Sequence, residues 1–132
     1  MAVDLTWETI AEQTVLWYWF RRGWTWEDFY ATKEKADAML DELEEPVPLV
    51  FDLRDATDMP PGMIKQAHKI TVTRHANGTP VILFGASRVI RTTTSILRRM
   101  LGSVVTKFMG DVHFLDHEDE FVTLLTDQQR QT

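Results

Sequence analysis

The alternation of apolar and polar residues near the start of the chain predicts a β-hairpin. Val3, Leu5 and Trp7 alternate with polar residues, which is typical of an edge strand with one face in water. Residues 14–20, TVLWYWF, are apolar on both faces, which predicts an inner strand. Because only a short turn over residues 10–13 separates the two segments, we expect the strands to pair antiparallel.

Helical and strand patterns alternate over the rest of the chain. Thr25 and Asp28 match the T-x-x-D capping box at the start of a first helix, which is expected to end before Pro46. Short apolar runs predict buried strands over residues 48–53, 80–85 and 112–115.

Three further helices follow these strands. Pro60 and Pro61 are expected in the first turn of the second helix, where proline is tolerated. Ser87 is expected to cap the third helix and Asp116 the last. The order ββαβαβαβα predicts one α/β domain over residues 1–126, with a small, mostly parallel sheet and an antiparallel N-terminal edge strand. The polar segment 127–132 is expected to fray.

The composition fits one domain and excludes several classes of site. The 132 residues correspond to a single domain, and the absence of cysteine excludes disulfides, zinc thiolates and iron–sulfur clusters. No apolar run approaches the roughly 18 residues of a membrane-spanning helix, and the N-terminus lacks the pattern of a signal peptide. We therefore expect a cytoplasmic protein without a membrane span.

The charged residues are distributed unevenly. The net charge is −6, yet residues 59–110 contain eight basic and no acidic residues. An acidic chain disfavours binding to nucleic acid, whereas a local basic surface suits a protein partner or a small anion. On the third helix, Arg98 and Arg99 are expected to contact a protein partner.

The start of the third helix is a possible anion site. Gly85, Ser87, Arg88 and Arg91 combine backbone amides with a hydroxyl and two cations, a set that can hold a phosphate. The alternative is that Gly85 and Ser87 only form a tight turn and a helix cap. The P-loop sequence is absent.

Three aspartates lie at and after the end of the third predicted strand. Asp52, Asp55 and Asp58 can hold Mg²⁺ for a phosphotransfer at Asp52, although Asp55 and Asp58 also suit turn and cap positions. The four histidines, His68, His75, His113 and His117, lack a metal-binding spacing. We therefore predict no enzyme, no metal site and no cofactor, with the Asp52 reaction as the less favoured alternative.

Aromatic residues are concentrated at the start of the chain. Nine of the fourteen lie between positions 7 and 30, and residues 17–20 place rings on both faces of the inner strand. If the helices lie mainly on one side of the sheet, some rings face outward and mark a dimer surface or an apolar ligand groove.

One local segment carries a family resemblance. Residues 49–53, LVFDL, are followed by Asp58, Met59, Pro60, Pro61 and Gly62. This segment and the order of elements resemble the STAS domain, the fold of bacterial anti-sigma-factor antagonists of the SpoIIAA type, over residues 2–126. In that family a serine-containing turn opens the next helix, and phosphorylation of one serine by a partner kinase controls partner exchange. Here Met59, Pro60 and Pro61 replace the serines, so the resemblance implies the fold without this switch, and Thr57 is the nearest hydroxyl.

The resemblance implies a non-catalytic protein-interaction or regulatory domain. We expect the partner-binding residues to be Asp55, Thr57, Asp58, Met59, Pro61 and Gly62, together with Arg98 and Arg99. The alternative is a small-ligand binding domain, with an anion at residues 85–88 or an apolar molecule at the aromatic cluster. A homodimer through the edge strand is also possible, because an edge strand presents unpaired backbone groups.

Overall fold

A five-stranded mixed sheet organises the part of the chain that the computed structural model describes, residues 2–56, 60–100 and 112–130. Its strands are β1 (Val3–Ile10), β2 (Gln13–Phe20), β3 (Val47–Asp52), β4 (Gly78–Phe84) and β5 (Val112–Leu115). They lie side by side in chain order; β1 is antiparallel to β2, and the remaining neighbours are parallel. The predicted α/β fold with an antiparallel edge strand is confirmed.

Helices cover both faces of this sheet. They are α1 (Trp26–Asp41), α2 (Met63–Val72), α3 (Arg88–Met100) and, after β5, α4 (Asp119–Arg130). Helices α1, α2 and α3 lie on one face, here called the first face, and α4 lies on the second face. This division follows from the strand order, because right-handed crossovers between successive strands place their helices on the same side.

The turn of the opening hairpin is tight. Ala11 and Glu12 connect β1 to β2, and both have left-handed backbone angles, with φ of 51° and 66°. Two residues of positive φ match the right-handed twist of paired strands. Ile10 and Gln13 close the ladder on either side of the turn.

The side chains of β2 divide between the two faces. Leu16, Tyr18 and Phe20 belong to the core of the first face, and Val15 and Trp17 belong to that of the second. Phe121 and Leu125 of α4 pack over the second face. Trp17 therefore does not face outward, since the ring of Phe121 lies 5.5 Å from it between centroids.

The first helix begins as its sequence predicts. Thr25 is the N-cap and forms a complete capping box with Asp28. The helix ends at Asp41, and Asn77 Nδ2 donates to the carbonyl oxygens of Leu40 and Leu43 at 3.0 and 2.9 Å. A side chain from the loop before β4 thus satisfies carbonyl groups at this helix end, which short-range sequence signals do not indicate.

The prediction that Pro60 and Pro61 lie in the first turn of α2 is wrong. The helix begins at Met63, and its N-cap is Gly62 with a φ of 84°. This left-handed residue separates the prolines from the helix, because a left-handed conformation cannot continue a right-handed turn.

The prediction that Asp116 caps the last helix is also wrong. Helix α4 begins at Asp119, and Glu120 Oε1 accepts hydrogen bonds from the backbone N–H groups of Asp116 and His117 at 3.1 and 2.9 Å. Asp116 instead accepts a hydrogen bond from Arg91 at 2.6 Å.

Candidate functional site

A cavity of about 140 Å³ lies between the first face of the sheet and helices α1, α2 and α3. Its lining is almost wholly apolar. The sheet contributes Leu49, Phe51, Val81 and Leu83, and the helices contribute Phe29, Met63, Ala67, Ile70 and Ile90. One end is aromatic and includes Phe20, Trp24 and Trp26. The aromatic cluster that sequence analysis singled out therefore forms part of this lining.

The cavity occupies a position that a core normally fills. Phe51 and Leu83 are the second-last residues of the inner strands β3 and β4, and they are only half-buried. Their neighbours on the second face, Val50 and Ile82, have no solvent exposure. Well-packed interiors leave few voids larger than a water molecule, so a space of this size under a helix distinguishes the first face from the second.

Polar contacts with α1 hold the residue before Gly62 and the middle of α2. Trp26 Nε1 donates to the carbonyl oxygen of Pro61 at 2.8 Å, and the Tyr30 hydroxyl donates to Gln66 Oε1. Lys69 Nζ lies 4.3 Å from the centre of the Tyr30 ring. Hydrogen bonds and a cation–π contact thus fasten the α1-facing side of α2 beside the cavity.

A second set of polar contacts lies at the C-terminal end of α2. Lys33 Nζ donates to the carbonyl oxygen of Thr73 at 3.0 Å and pairs with Asp37 at 2.6 Å. His75 Nε2 lies 2.6 Å from Asp41 Oδ1. Lys33, Asp37 and His75 also border the cavity, so this end is polar whereas the opposite end is aromatic.

Burial raises the pKa of both tyrosines of this region. Desolvation raises the pKa of Tyr18 well above its ordinary value, and the negative charge of Asp37 raises it further. Burial also raises the pKa of Tyr30. Tyr18, which lines the cavity, therefore stays protonated at pH values at which an exposed tyrosine ionises.

Asp52 is the centre of a separate buried network. Its Oδ2 accepts from Trp17 Nε1 at 3.2 Å and from an Arg54 terminal nitrogen at 2.7 Å. Its Oδ1 accepts from the Arg54 backbone N–H and side-chain Nε at 3.2 and 3.0 Å. The Arg54 guanidinium also lies 4.3 Å from the centre of the Phe84 ring. Both oxygens that would ligate Mg²⁺ are therefore occupied by an indole and a guanidinium.

The structure describes only part of the predicted partner-binding loop. Asp55, Pro61 and Gly62 are exposed. Thr57, Asp58 and Met59 lie outside the described residues. Gly62 needs its glycine conformation, since a φ of 84° is strained for any residue with a Cβ.

The two arginines predicted to contact a partner lie near the end of α3. Arg99 is exposed. The side chain of Arg98 is not among those that the structure describes.

Two residues of the predicted anion site, Gly85 and Ser87, have structural roles. Gly85 has a φ of 70°, and a Cβ there would lie 2.5 Å from Arg54 Cγ, so the glycine permits close approach of two chain segments. Ser87 Oγ accepts from the backbone N–H of Ile90 at 3.4 Å, which is the contact of a helix cap.

The two arginines of the predicted anion site differ in their surroundings. Arg91 pairs with Asp116 at 2.6 Å, and its guanidinium lies 4.9 Å from the centre of the Phe114 ring. Arg88 is exposed. Arg91 thus has an acidic partner in this structure, and anion binding by the four residues stays a prediction.

The described segments contain neither a cluster of metal-binding side chains nor a helix that could span a membrane. Within residues 2–56, 60–100 and 112–130, no three histidine or acidic residues are grouped so that they could hold a metal ion. In these same segments no helix combines the length and apolar character needed to cross a membrane.

Comparisons with known proteins add no family to this description. Neither a scan against models of protein families nor a search of curated proteins matched the chain. The resemblance to the STAS domain therefore stays a prediction from residues and element order, and the function must be argued from the site itself.

Proposed function

We propose that this chain is a small-molecule binding domain that takes an apolar ligand into the cavity between the sheet and helices α1, α2 and α3. The observation that supports the proposal is the cavity itself, which lies where a tightly packed core is expected and whose lining is almost wholly apolar. A cavity of about 150 Å³ lined by aliphatic and aromatic side chains stays dry and binds molecules the size of benzene. The volume of about 140 Å³ found here suits a ligand of similar size.

The attachment of α2 supports access to this space. Hydrogen bonds from Trp26, Tyr30 and Lys33 of α1 reach the segment 61–73, which comprises α2 and the residues on either side of it. The net contribution of each such hydrogen bond is only about 1 kcal/mol, because water can replace the partner when the segment moves.

A thermal-shift titration with toluene tests the proposal. A ligand that binds only the native state stabilises it by about 2.7 kcal/mol at a hundredfold excess over its dissociation constant. We expect toluene to raise the melting temperature of the wild type but not of Ala67→Phe, whose new ring occupies the cavity from α2.

Ala38→Phe is the matched control. Ala38 is exposed on α1 and places the same ring outside the cavity. Equal shifts for the wild type and Ala67→Phe, or no shift for the wild type near saturation with toluene, would contradict the proposal.

A second candidate is the non-catalytic, STAS-like interaction domain without the serine phosphoswitch. Its support is the exposure of Asp55, Pro61 and Gly62 in the loop before α2 and of Arg99 on α3, together with the absence of acidic residues from the intervening sequence. In both candidates the chain binds rather than catalyses. A cytoplasmic location and a homodimer through β1 stay predictions.

Affinity capture tests this second candidate. Wild type is compared with an Arg98→Glu, Arg99→Glu double variant, and a retained protein is then purified and its binding to both is measured. Loss of binding in the double variant supports the interaction domain. Equal binding by both removes the basic helix from the interface.

A further inference from the structure

The outer surface of helices α2 and α3 carries cations that have no acidic partner in the described part of the chain. Lys65 on α2 and Arg88 and Arg99 on α3 are exposed. None of the ion pairs within the described residues involves them. Because no acidic residue occurs between positions 59 and 110, neither helix places a carboxylate on this surface. The surface is therefore positively charged, although the chain as a whole is acidic.

Exposed apolar side chains lie on the same surface. Val72 of α2 is 56% exposed, and Val89 and Ile96 of α3 are 61% and 36% exposed. Val89 and Ile96 are seven residues apart, so they share one side of α3. Arg91 lies on the opposite side of this helix, where it pairs with Asp116 after β5, so the apolar side is the one next to α2. Basic and apolar side chains are thus interspersed on what is here called the α2–α3 surface.

Acidic residues beside the α2–α3 surface belong to α1 and have partners of their own. Asp37 pairs with Lys33 at 2.6 Å, and Asp41 Oδ1 lies 2.6 Å from His75 Nε2. These two carboxylates therefore leave the cations of α2 and α3 available to an external anion.

Helices α2 and α3 also form one wall of the cavity. Ala67 of α2 and Ile90 of α3 line it from the inside, whereas Lys65 and Val89 are exposed on the outside. Apolar molecules partition from water into lipid, because transfer of apolar surface out of water is favourable. Contact of these helices with a lipid surface places the cavity wall beside the phase in which apolar ligands concentrate.

We propose that the α2–α3 surface docks on an anionic lipid surface. Lys65, Arg88 and Arg99 face the lipid phosphates, and the exposed valine and isoleucine side chains contact the interfacial layer. Each basic residue near an anionic membrane strengthens binding by about fivefold. An acidic protein would satisfy the same charges. The lipid surface is favoured because it also supplies an apolar ligand to the cavity, and this preference rests on the proposed function.

Cosedimentation with vesicles tests the docking. The full chain is mixed with phosphatidylcholine vesicles that contain about 30% phosphatidylglycerol, and with vesicles of phosphatidylcholine alone. We expect binding to the anionic vesicles only. The binding should be lost between about 0.1 M and about 0.5 M sodium chloride, because salt screens the attraction between the cations and the lipid phosphates.

Two double variants with the same change in net charge locate the surface. Arg88→Glu with Arg99→Glu should weaken binding to the anionic vesicles by at least about 25-fold, which is fivefold for each cation removed. Arg22→Glu with Lys35→Glu is the control, since both residues are exposed and lie outside α2 and α3. The control should weaken binding by no more than about threefold, because its charges lie away from the lipid and are screened.

A fluorescent label tests the contact without altering any charge. The chain contains no cysteine, so Val89→Cys provides a single site for a nitrobenzoxadiazole label, whose emission rises and shifts to the blue in an apolar environment. We expect this change when anionic vesicles are added. Val122→Cys is the matched control, because Val122 is 50% exposed on α4, at the second face of the sheet. Its label should not respond.

Each other outcome overturns the proposal. Absence of binding to anionic vesicles at low salt contradicts docking, and equal loss in the two double variants assigns the binding to net charge rather than to this surface. Salt-sensitive binding to poly-glutamate without binding to vesicles assigns the surface to an acidic protein instead. The toluene titration of the cavity is independent of vesicles, so failure of the docking and failure of the proposed function are distinguishable.

Discussion

Trp17 Nε1 donates a buried hydrogen bond to Asp52 Oδ2 at 3.2 Å, joining neighbouring parallel strands on the second face of the sheet. Arg54 completes the surroundings of the same carboxylate with three further hydrogen bonds. A carboxylate at the end of a parallel strand is often a candidate for catalysis, but here its lone pairs are used within the fold. Asp52 therefore acts as a structural anchor for the start of the loop after β3.

Asp52→Asn is expected to lower the free energy of unfolding by about 2 kcal/mol. Hydrogen bonds to a charged carboxylate are replaced by weaker bonds to a neutral amide. In addition, one N–H donor then faces the amide nitrogen, which is itself a donor. Urea denaturation measures the change. Asp55→Asn, at an exposed position in the same loop, should alter the free energy of unfolding by less than about 0.5 kcal/mol. An Asp52→Asn protein as stable as the wild type would contradict the structural role.

Removal of the Thr25 capping box should destabilise α1. Thr25 Oγ1 accepts from the Asp28 backbone N–H at 3.1 Å, and Asp28 Oδ2 accepts from the Thr25 backbone N–H at 3.2 Å. We expect Thr25→Ala to lower the free energy of unfolding by about 1 kcal/mol. Thr25→Ser keeps the hydroxyl and should restore most of the loss, and failure of this rescue would assign the effect to something other than the cap.

Adjacent residues of β4 provide a test of packing on the two faces. Ile82 is fully buried on the second face, whereas Leu83 borders the cavity on the first. Ile82→Ala should cost about 3 to 4 kcal/mol, within the range for tightly packed core positions. Leu83→Ala should cost only about 1 to 2 kcal/mol, because part of its side chain already lacks packing partners. Equal losses in urea denaturation would mean that the cavity is filled in solution.

The stability of the protein should fall above about pH 10, where tyrosine ionises in unfolded chains. Burial raises the pKa of Tyr18 in the folded state, so the unfolded state releases its proton first and is favoured as the pH rises. The contribution is fully present below about pH 10 and is lost as the pH rises through the folded-state pKa. Unfolding of wild type and Tyr18→Phe between pH 8 and pH 11 measures this effect, and we expect a shallower decline for the variant.

Tyr30→Phe is the control for this pH dependence. The chain has two tyrosines, so absorbance near 295 nm follows them with little ambiguity. In native Tyr30→Phe, the remaining phenol should resist ionisation until the protein unfolds. Titration of Tyr18 near its ordinary pKa without unfolding would contradict its burial.

Local patterns were sufficient to predict most secondary structure. The alternation in β1, the apolar run of β2 and the T-x-x-D signal at Thr25 depend on neighbouring residues, and all three predictions are confirmed. The predictions for Pro60, Pro61 and Asp116 are wrong because the helix starts depend on Gly62 and on Glu120, which reaches back to the N–H groups before α4.

The candidate site could be predicted only in part. The concentration of aromatic residues between positions 7 and 30 indicated an apolar ligand site, and Trp24, Trp26 and Phe29 do line the cavity. Arg91 of the predicted anion site pairs with Asp116, a residue that is distant in sequence, and anion binding there stays a prediction. Long-range ion pairs of this kind have no local sequence signal.

The order of strands and helices follows from periodicity, since each element must bury its apolar side chains on one face or on both. The cavity depends instead on the separation between α2 and the sheet, which is set by contacts of Trp26, Tyr30 and Lys33 with distant residues. Among the described residues the N–H of Trp24 has no acceptor, which is likewise a property of its neighbours in space. Periodicity determines which side chains turn inward. The volume left between these side chains is determined only when the elements pack together. The same is true of their hydrogen-bond partners.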